Sequence, residues 1–172
     1  MIKKSINTYS VTVDELKEQL KIELEYKEAD NTLKDYLIKA THHITNLIGS
    51  DIELTTNKCM SKDIDNLRGI FYTSPFVSIT SLKIDGKSIN VTDLSIIEYY
   101  SHFIIEDIQA SKSIEIEFIT GYETIPPELK QAILIYASDL HDTLINETTI
   151  GVSVSTTNAV NNLTASHKRK YW

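Results

Sequence analysis

The hydrophobic period of this chain changes twice along its length, and that change restricts its fold more than any single motif does. Leu33, Tyr36, Leu37, Ala40, Ile44, Leu47 and Ile48 recur with the 3.6-residue period of a helix. Between about residues 52 and 121 the period drops to two. There Ile114, Ile116 and Phe118 alternate with Glu115, Glu117 and Ile119, as in a strand with one buried face. The helical period then returns through Leu129, Ala132, Ile133, Tyr136, Ala137, Leu140 and Leu144. A strand-rich segment therefore interrupts a helical chain. The pattern predicts an α+β fold: a small helical bundle carrying an inserted antiparallel β region over 52–122.

Local signals place the boundaries. Thr12 and Glu15 have the spacing of a capping box, in which the threonine hydroxyl and the glutamate each satisfy an unpaired backbone N–H. A first helix is predicted over 12–22, with Leu16 and Leu20 on one face and Leu24 in register beyond. A second runs over 32–48 and stops at Gly49, which tolerates a left-handed conformation. Pro126-Pro127-Glu128 opens a third helix over 127–146, because proline fits the first turn. Phe76 to Ile84 alternates with one shift of phase, placing Val77, Ile79, Leu82 and Ile84 inward. Asp85-Gly86 follows, with Lys87-Ser88-Ile89 beyond it, and Asp-Gly between two strand-like runs predicts a tight hairpin turn. Residues 1–147 read as a single domain. Residues 148–172 are rich in Ser, Thr and Asn, and predict an extended arm that cannot bury itself.

Charge separates the same two parts. The 172 residues hold 17 Lys+Arg against 24 Asp+Glu, a net charge of −7. No acidic residue occurs from Thr148 onward, where Lys168, Arg169 and Lys170 give +3. The body therefore carries −10. Such a balance argues against a general nucleic-acid coat protein, which needs a basic field. No apolar run approaches the roughly 20 residues of a membrane helix. Lys3-Lys4 is not followed by the apolar core of a signal peptide, so a cytoplasmic site of synthesis is expected. Cys59 stands alone, which excludes an internal disulfide and a multi-cysteine zinc site; it reads as a small buried apolar group.

The residues that could do chemistry do not assemble into a motif. His42-His43 and His141-Asp142 are adjacent pairs, and neighbouring helical positions point about 100° apart, so neither pair chelates alone. No Gly-x-Ser-x-Gly elbow is present, and the five glycines never cluster into a phosphate loop. Glu115 and Glu117 read as a solvated strand face. Phe71-Tyr72 and Tyr99-Tyr100 lack the interleaved basic residues of a base-stacking groove, which favours core or interface packing. No catalytic residue, metal ligand or cofactor is assigned. The basic, aromatic close Lys168-Arg169-Lys170-Tyr171-Trp172, with Leu163 before it, has the composition of an interface anchor.

Several segments together resemble one protein family. Val11–Leu20, Leu33–Gly49, Pro75–Leu82 with Ile84-Asp85-Gly86, and Phe118–Tyr122 followed by Ile125–Leu134 occur in the order seen in one group of phage proteins. These are the head–tail connector (adaptor) proteins of tailed bacteriophages and prophages, a group also described as head-completion or DNA-packaging proteins. The close at Asn162-Leu163 to Tyr171 is similar only loosely, since the family's Pro-Tyr-Arg order is missing.

The resemblance implies a structural role in the virion neck, assembled in the bacterial host cytoplasm. It implies a homo-oligomeric ring of twelve copies docked on the portal protein, with a stopper or other tail-proximal neck protein on the far side. DNA would contact the ring only in transit, and no membrane would be involved. Leu163, Lys168, Arg169, Lys170, Tyr171 and Trp172 would form the portal-binding arm. Two alternatives stay open at this point: another neck component such as a stopper or tail-completion protein, and a metal-dependent hydrolase using the His-Asp pairs.

Overall fold

A computed structural model describes residues 3–6, 11–145 and 153–169. They fall into two compact units, one helical and one built of strands, and the α+β class expected from the periodicity holds.

The helical unit is drawn from residues 11–52 and 124–168. Helix α1 (Val13–Leu20) opens on the capping box: the Glu15 N–H donates to the Thr12 hydroxyl (3.2 Å), and the Thr12 N–H donates to the Glu15 carboxylate (3.0 Å). Lys130 pairs with the same carboxylate. Partial burial opposes ionisation of Glu15, but Lys130 and the cap outweigh it and hold its pKa below the usual value. Helix α2 (Asp30–Ile48) buries Leu33, Tyr36, Leu37, Ala40, Ile44 and Ile48 and closes on Gly49 at φ +70. Helix α4 (Pro127–Ile145) packs on it through Leu129, Ala132, Ile133 and Ala137, all fully buried. Helix α3 is a single turn in the other unit, Ile64–Leu67.

The first helix stops earlier than the sequence predicts, and a buried lysine accounts for the path beyond it. Lys21 takes a left-handed φ of +59, and the Ile22 N–H reaches back to the Lys17 carbonyl (2.9 Å), a Schellman close. Leu24 is therefore not on the helix face but in an exposed loop. The Lys17 side chain is fully buried beneath that loop. Its ammonium donates to the carbonyls of Leu24 (3.2 Å) and Tyr26 (2.7 Å) and pairs with Asp30 at the start of α2. Two hydrogen bonds and an ion pair make the burial tolerable. Lys17→Ala is expected to destabilise the protein by about 3–5 kcal/mol in urea unfolding followed by helical circular dichroism, because it leaves buried acceptors unpaired. A loss below about 1 kcal/mol would show that the loop relaxes to water instead.

The expected extended arm is in part a helix. Helix α5 (Val154–Thr164) buries Thr156, Val160 and Thr164 against α4. Ser153 caps it, accepting from the Thr156 N–H (3.1 Å), while its own N–H donates to Asp139 of α4 (2.6 Å). The Thr164 hydroxyl donates to the Val160 carbonyl (2.8 Å), so its burial strands no polar group. A 3-10 turn, Ala165–His167, follows. The remaining expected arm residues, 148–152 and 170–172, lie outside the described residues.

The β unit holds residues 53–123, the short strand β1 (Lys3–Ile6) and Arg169. Its larger sheet is antiparallel in the order β1-β2-β8-β4-β5, with β2 Thr55–Ser61, β4 Phe76–Ile84, β5 Lys87–Ile89 and β8 Ile114–Thr120. A second sheet runs β3-β7-β6, from Ile70–Phe71, Phe103–Ile105 and Ile96–Glu98. Between them Cys59, Ile79, Leu82, Ile114, Ile116 and Phe118 meet Phe71, Phe103, Ile105 and Ile108. The phase shift read in Phe76–Ile84 is real: the register against β8 slips between Phe76 and Ser78 and again between Ile79 and Ser81. These irregularities keep Ile79 and Leu82 in the core although they are three apart, and leave Val77 only half-buried.

Gly121 ends β8 at φ +109, where its backbone passes against Glu53. A Cβ there would sit 2.2 Å from the Glu53 carbonyl oxygen. Gly121→Ala is expected to cost about 2 kcal/mol or more in thermal unfolding, and unchanged stability would show that this approach can open without penalty.

Candidate assembly surfaces

The histidines of the hydrolase alternative are held by aromatic packing. His43 stacks on Tyr136 at 4.3 Å between ring centres, and His141 lies edge-on to Tyr36 at 6.2 Å. His141 Nδ1 is 3.3 Å from its neighbour Asp142, and Asp139 is engaged by the N–H of Ser153. Among the described residues, no group of three His, Cys, Asp or Glu is placed to hold a metal ion. Cys59 is buried in the β core, and burial pushes its thiol up from the usual value. Glu115 and Glu117 do not work as a carboxylate pair: they project from the outer face of the large sheet and meet Lys83 (3.7 Å) and Lys58 (3.1 Å) directly across the ladder. No described helix is long and apolar enough to cross a membrane.

Asp85 and Gly86 form the expected turn between β4 and β5, with φ of +49 and +83. Both central residues are left-handed, as the hairpin twist requires. Asp85 does more than turn the chain. The Lys112 and Ser113 N–H groups donate to one of its carboxylate oxygens (both 2.8 Å). The Ser111 N–H and hydroxyl donate to the other (3.1 and 2.9 Å). Its own N–H donates to the Ser113 carbonyl (2.9 Å). The carboxylate thus pins the hairpin tip to the segment that leads into β8. These donors, that of Ser113 foremost, lower its pKa to about 2. A lowered folded value means that the clamp stabilises the protein above the unfolded pKa of about 4 and is lost as pH falls through about 2. Carbon-detected NMR titration is expected to place the Asp85 midpoint near 2, with the stability gap between wild type and Asp85→Asn closing over that window. A midpoint near 4 would mean the clamp is open in solution.

Of the expected portal-binding arm, the described residues are Leu163, Lys168 and Arg169, and each is half-buried. Leu163 and Lys168 are half-buried in the helical unit, and the Lys168 ammonium donates to Asn161 (3.0 Å). His167, in the intervening 3-10 turn, approaches Glu128 at 4.0 Å. Arg169 is half-buried and belongs to the β unit. Lys170, Tyr171 and Trp172 lie outside the described residues.

A different surface stands out. The paired aromatics split: Phe71 enters the core, whereas Tyr72, Tyr99 and Tyr100 stay 54, 46 and 57% exposed. The β3-β7-β6 register brings them to one end of the small sheet, where His102 sits between them. Tyr99 stacks on His102 at 4.6 Å, and Tyr72 reaches its other side at 5.7 Å. Tyr122 lies near enough to Tyr100 to feel its charge, though burial is the main cause of its raised pKa. Sequence reading found both aromatic pairs but not that the pairing of β3 and β6 with β7 would bring them together.

No protein-family model matches the chain, and no curated protein matches it in sequence. Solved structures do. A chain from the neck of an empty gene transfer agent particle, computed with C6 symmetry, superposes with a TM-score of 0.74 at 15% identity, covering 99% of this chain and 97% of that one. A chain from the neck of the native particle, computed with C12 symmetry, gives 0.71 at 14% identity, covering 99% and 97%. One from the virion of the native particle gives 0.68 at 14%, covering 93% and 94%. The fold is shared with these chains. The likeness runs through both units, so neither is an addition to that fold.

Proposed function

We propose that this chain is a structural component of the neck of a tailed phage or prophage particle, a head–tail connector that works as a ring. The observation that carries the reading is the match in fold over 99% of this chain and 97% of a chain from a particle neck. The order of segments that resembles the connector family agrees with it, and so do histidines and carboxylates spent on packing and ion pairs. In this reading identical copies close a ring, which takes a heterologous contact between two different patches. One face docks on the portal protein, and the other receives the stopper or next neck protein. DNA passes through the middle.

Charge fits such a passage. Residues 9–52 and 124–168, the segments of the helical unit, hold seven Lys+Arg against thirteen Asp+Glu, a net −6. Residues 1–8, 53–123 and 169–172 hold ten against eleven, a net −1. The negative charge read in the sequence as a property of the whole body is thus concentrated in the helical segments. A surface poor in net positive charge does not hold phosphates, and DNA can slide past it.

The test is assembly with the portal. The purified chain, mixed with a portal protein from the same phage or prophage genome, is expected to co-migrate as a portal-bound ring whose mass by light scattering corresponds to about twelve copies. A chain that stays monomeric and separate from the portal would contradict the connector reading; binding only to an already completed connector would make it a stopper.

A further inference from the structure

We infer that the tyrosine patch at the β6–β7 turn receives the segment Lys170-Tyr171-Trp172 of a second copy of this chain. The inference rests on the ring reading above and names the two patches that a closing contact needs.

The patch has the make-up of an interface centre. Tyr72, Tyr99 and Tyr100 are large and about half exposed, and His102 stacks on Tyr99 and lies tilted against Tyr72. Buried tyrosines elsewhere in the fold, such as Tyr36, show that the chain does not need these three on its surface for packing. Two carboxylates border it in the sequence. Exposed Glu98 adjoins Tyr99, and exposed Glu123 follows Tyr122. An aromatic surface edged by carboxylates favours a cation and further aromatic rings.

The chain carries a segment of that chemistry. No acidic residue occurs from Thr148 to Trp172, and Lys170-Tyr171-Trp172 sets one cation beside two aromatic rings. Its root is fixed, because Arg169 is half-buried in the β unit. Three residues reach at most about 10 Å, so the segment engages a surface that abuts its own subunit and not a distant one. In a ring each such contact can be weak alone, because closure makes every one of them intramolecular. Lys170 would face Glu98 and Glu123, with Tyr171 and Trp172 against the tyrosines.

Two full-length variants test this: Tyr99→Ser with Tyr100→Ser, which removes the patch, and Tyr171→Ser with Trp172→Ser, which removes the segment. Circular dichroism checks that both fold. Assembly is followed by light scattering, alone and with portal protein. Each variant is expected to raise the concentration for half-assembly about tenfold or more. Mixed together they are expected to form no rings, since a chain of segment-to-patch contacts ends after one unlike pair. A swap, Glu98→Lys with Lys170→Glu in one chain, is expected to assemble better than either single change. Wild-type rings from either variant would overturn the inference alone. So would loss of portal binding with rings intact, which assigns the segment to the portal. A swap no better than its single changes would also overturn it. Failure of the wild-type chain to form rings under both conditions would overturn the ring reading itself, and the inference with it.

Discussion

The β unit depends on one strand being paired on both sides. β8 takes β2 along one edge and β4 along the other, over seven residues with β2 and seven ladder positions with β4. Its period of two then decides both faces at once. Ile114, Ile116 and Phe118 go inward against Phe103 and its neighbours, and Glu115 and Glu117 go outward to Lys83 and Lys58. A slip of one residue would bury two carboxylates and expose three large apolar groups, so the register has little freedom. The Asp85 clamp acts at one end of this strand, binding the segment that enters it, and Gly121 acts at the other, where the chain leaves. Both sites therefore guard the strand that the rest of the unit is built on.

The helical unit is organised by a different constraint. Its acidic content is high, yet the most deeply buried charge among its described residues is a lysine. Lys17 gathers the α1–α2 loop and the start of α2 onto a single ammonium, so the loop is ordered from beneath while Glu23, Glu25 and Glu28 stay at the surface. Burial of a paired charge specifies a geometry more than it adds stability.

Much of this was legible in the residues, and the exceptions share a cause. Thr12 with Glu15, Gly49, Pro127 and Asp85-Gly86 each have a local requirement that only a few side chains meet, so their elements ended or turned near where the sequence predicts. Helix α5 was hidden because its buried stripe is Thr156, Val160 and Thr164, four apart, and threonine does not register as apolar although its hydroxyl can bond to its own helix. Lys17 was hidden for the same reason: a charged residue is read as solvent-facing until its acceptors are known. The tyrosine patch needed the register of strands only two or three residues long, which no local pattern supplies. Of the 25 residues expected as an extended arm, Val154–Thr164 form a helix instead.

The proposed connector role rests on a fold shared with particle-neck chains. Cryo-electron microscopy of the particle that encodes this chain examines it in place. The expected result is a ring between portal and tail whose repeating density fits both units, with the helical segments toward the DNA path. Purified, infectious particles that lack the chain, or that carry it outside the neck, would contradict the proposed role.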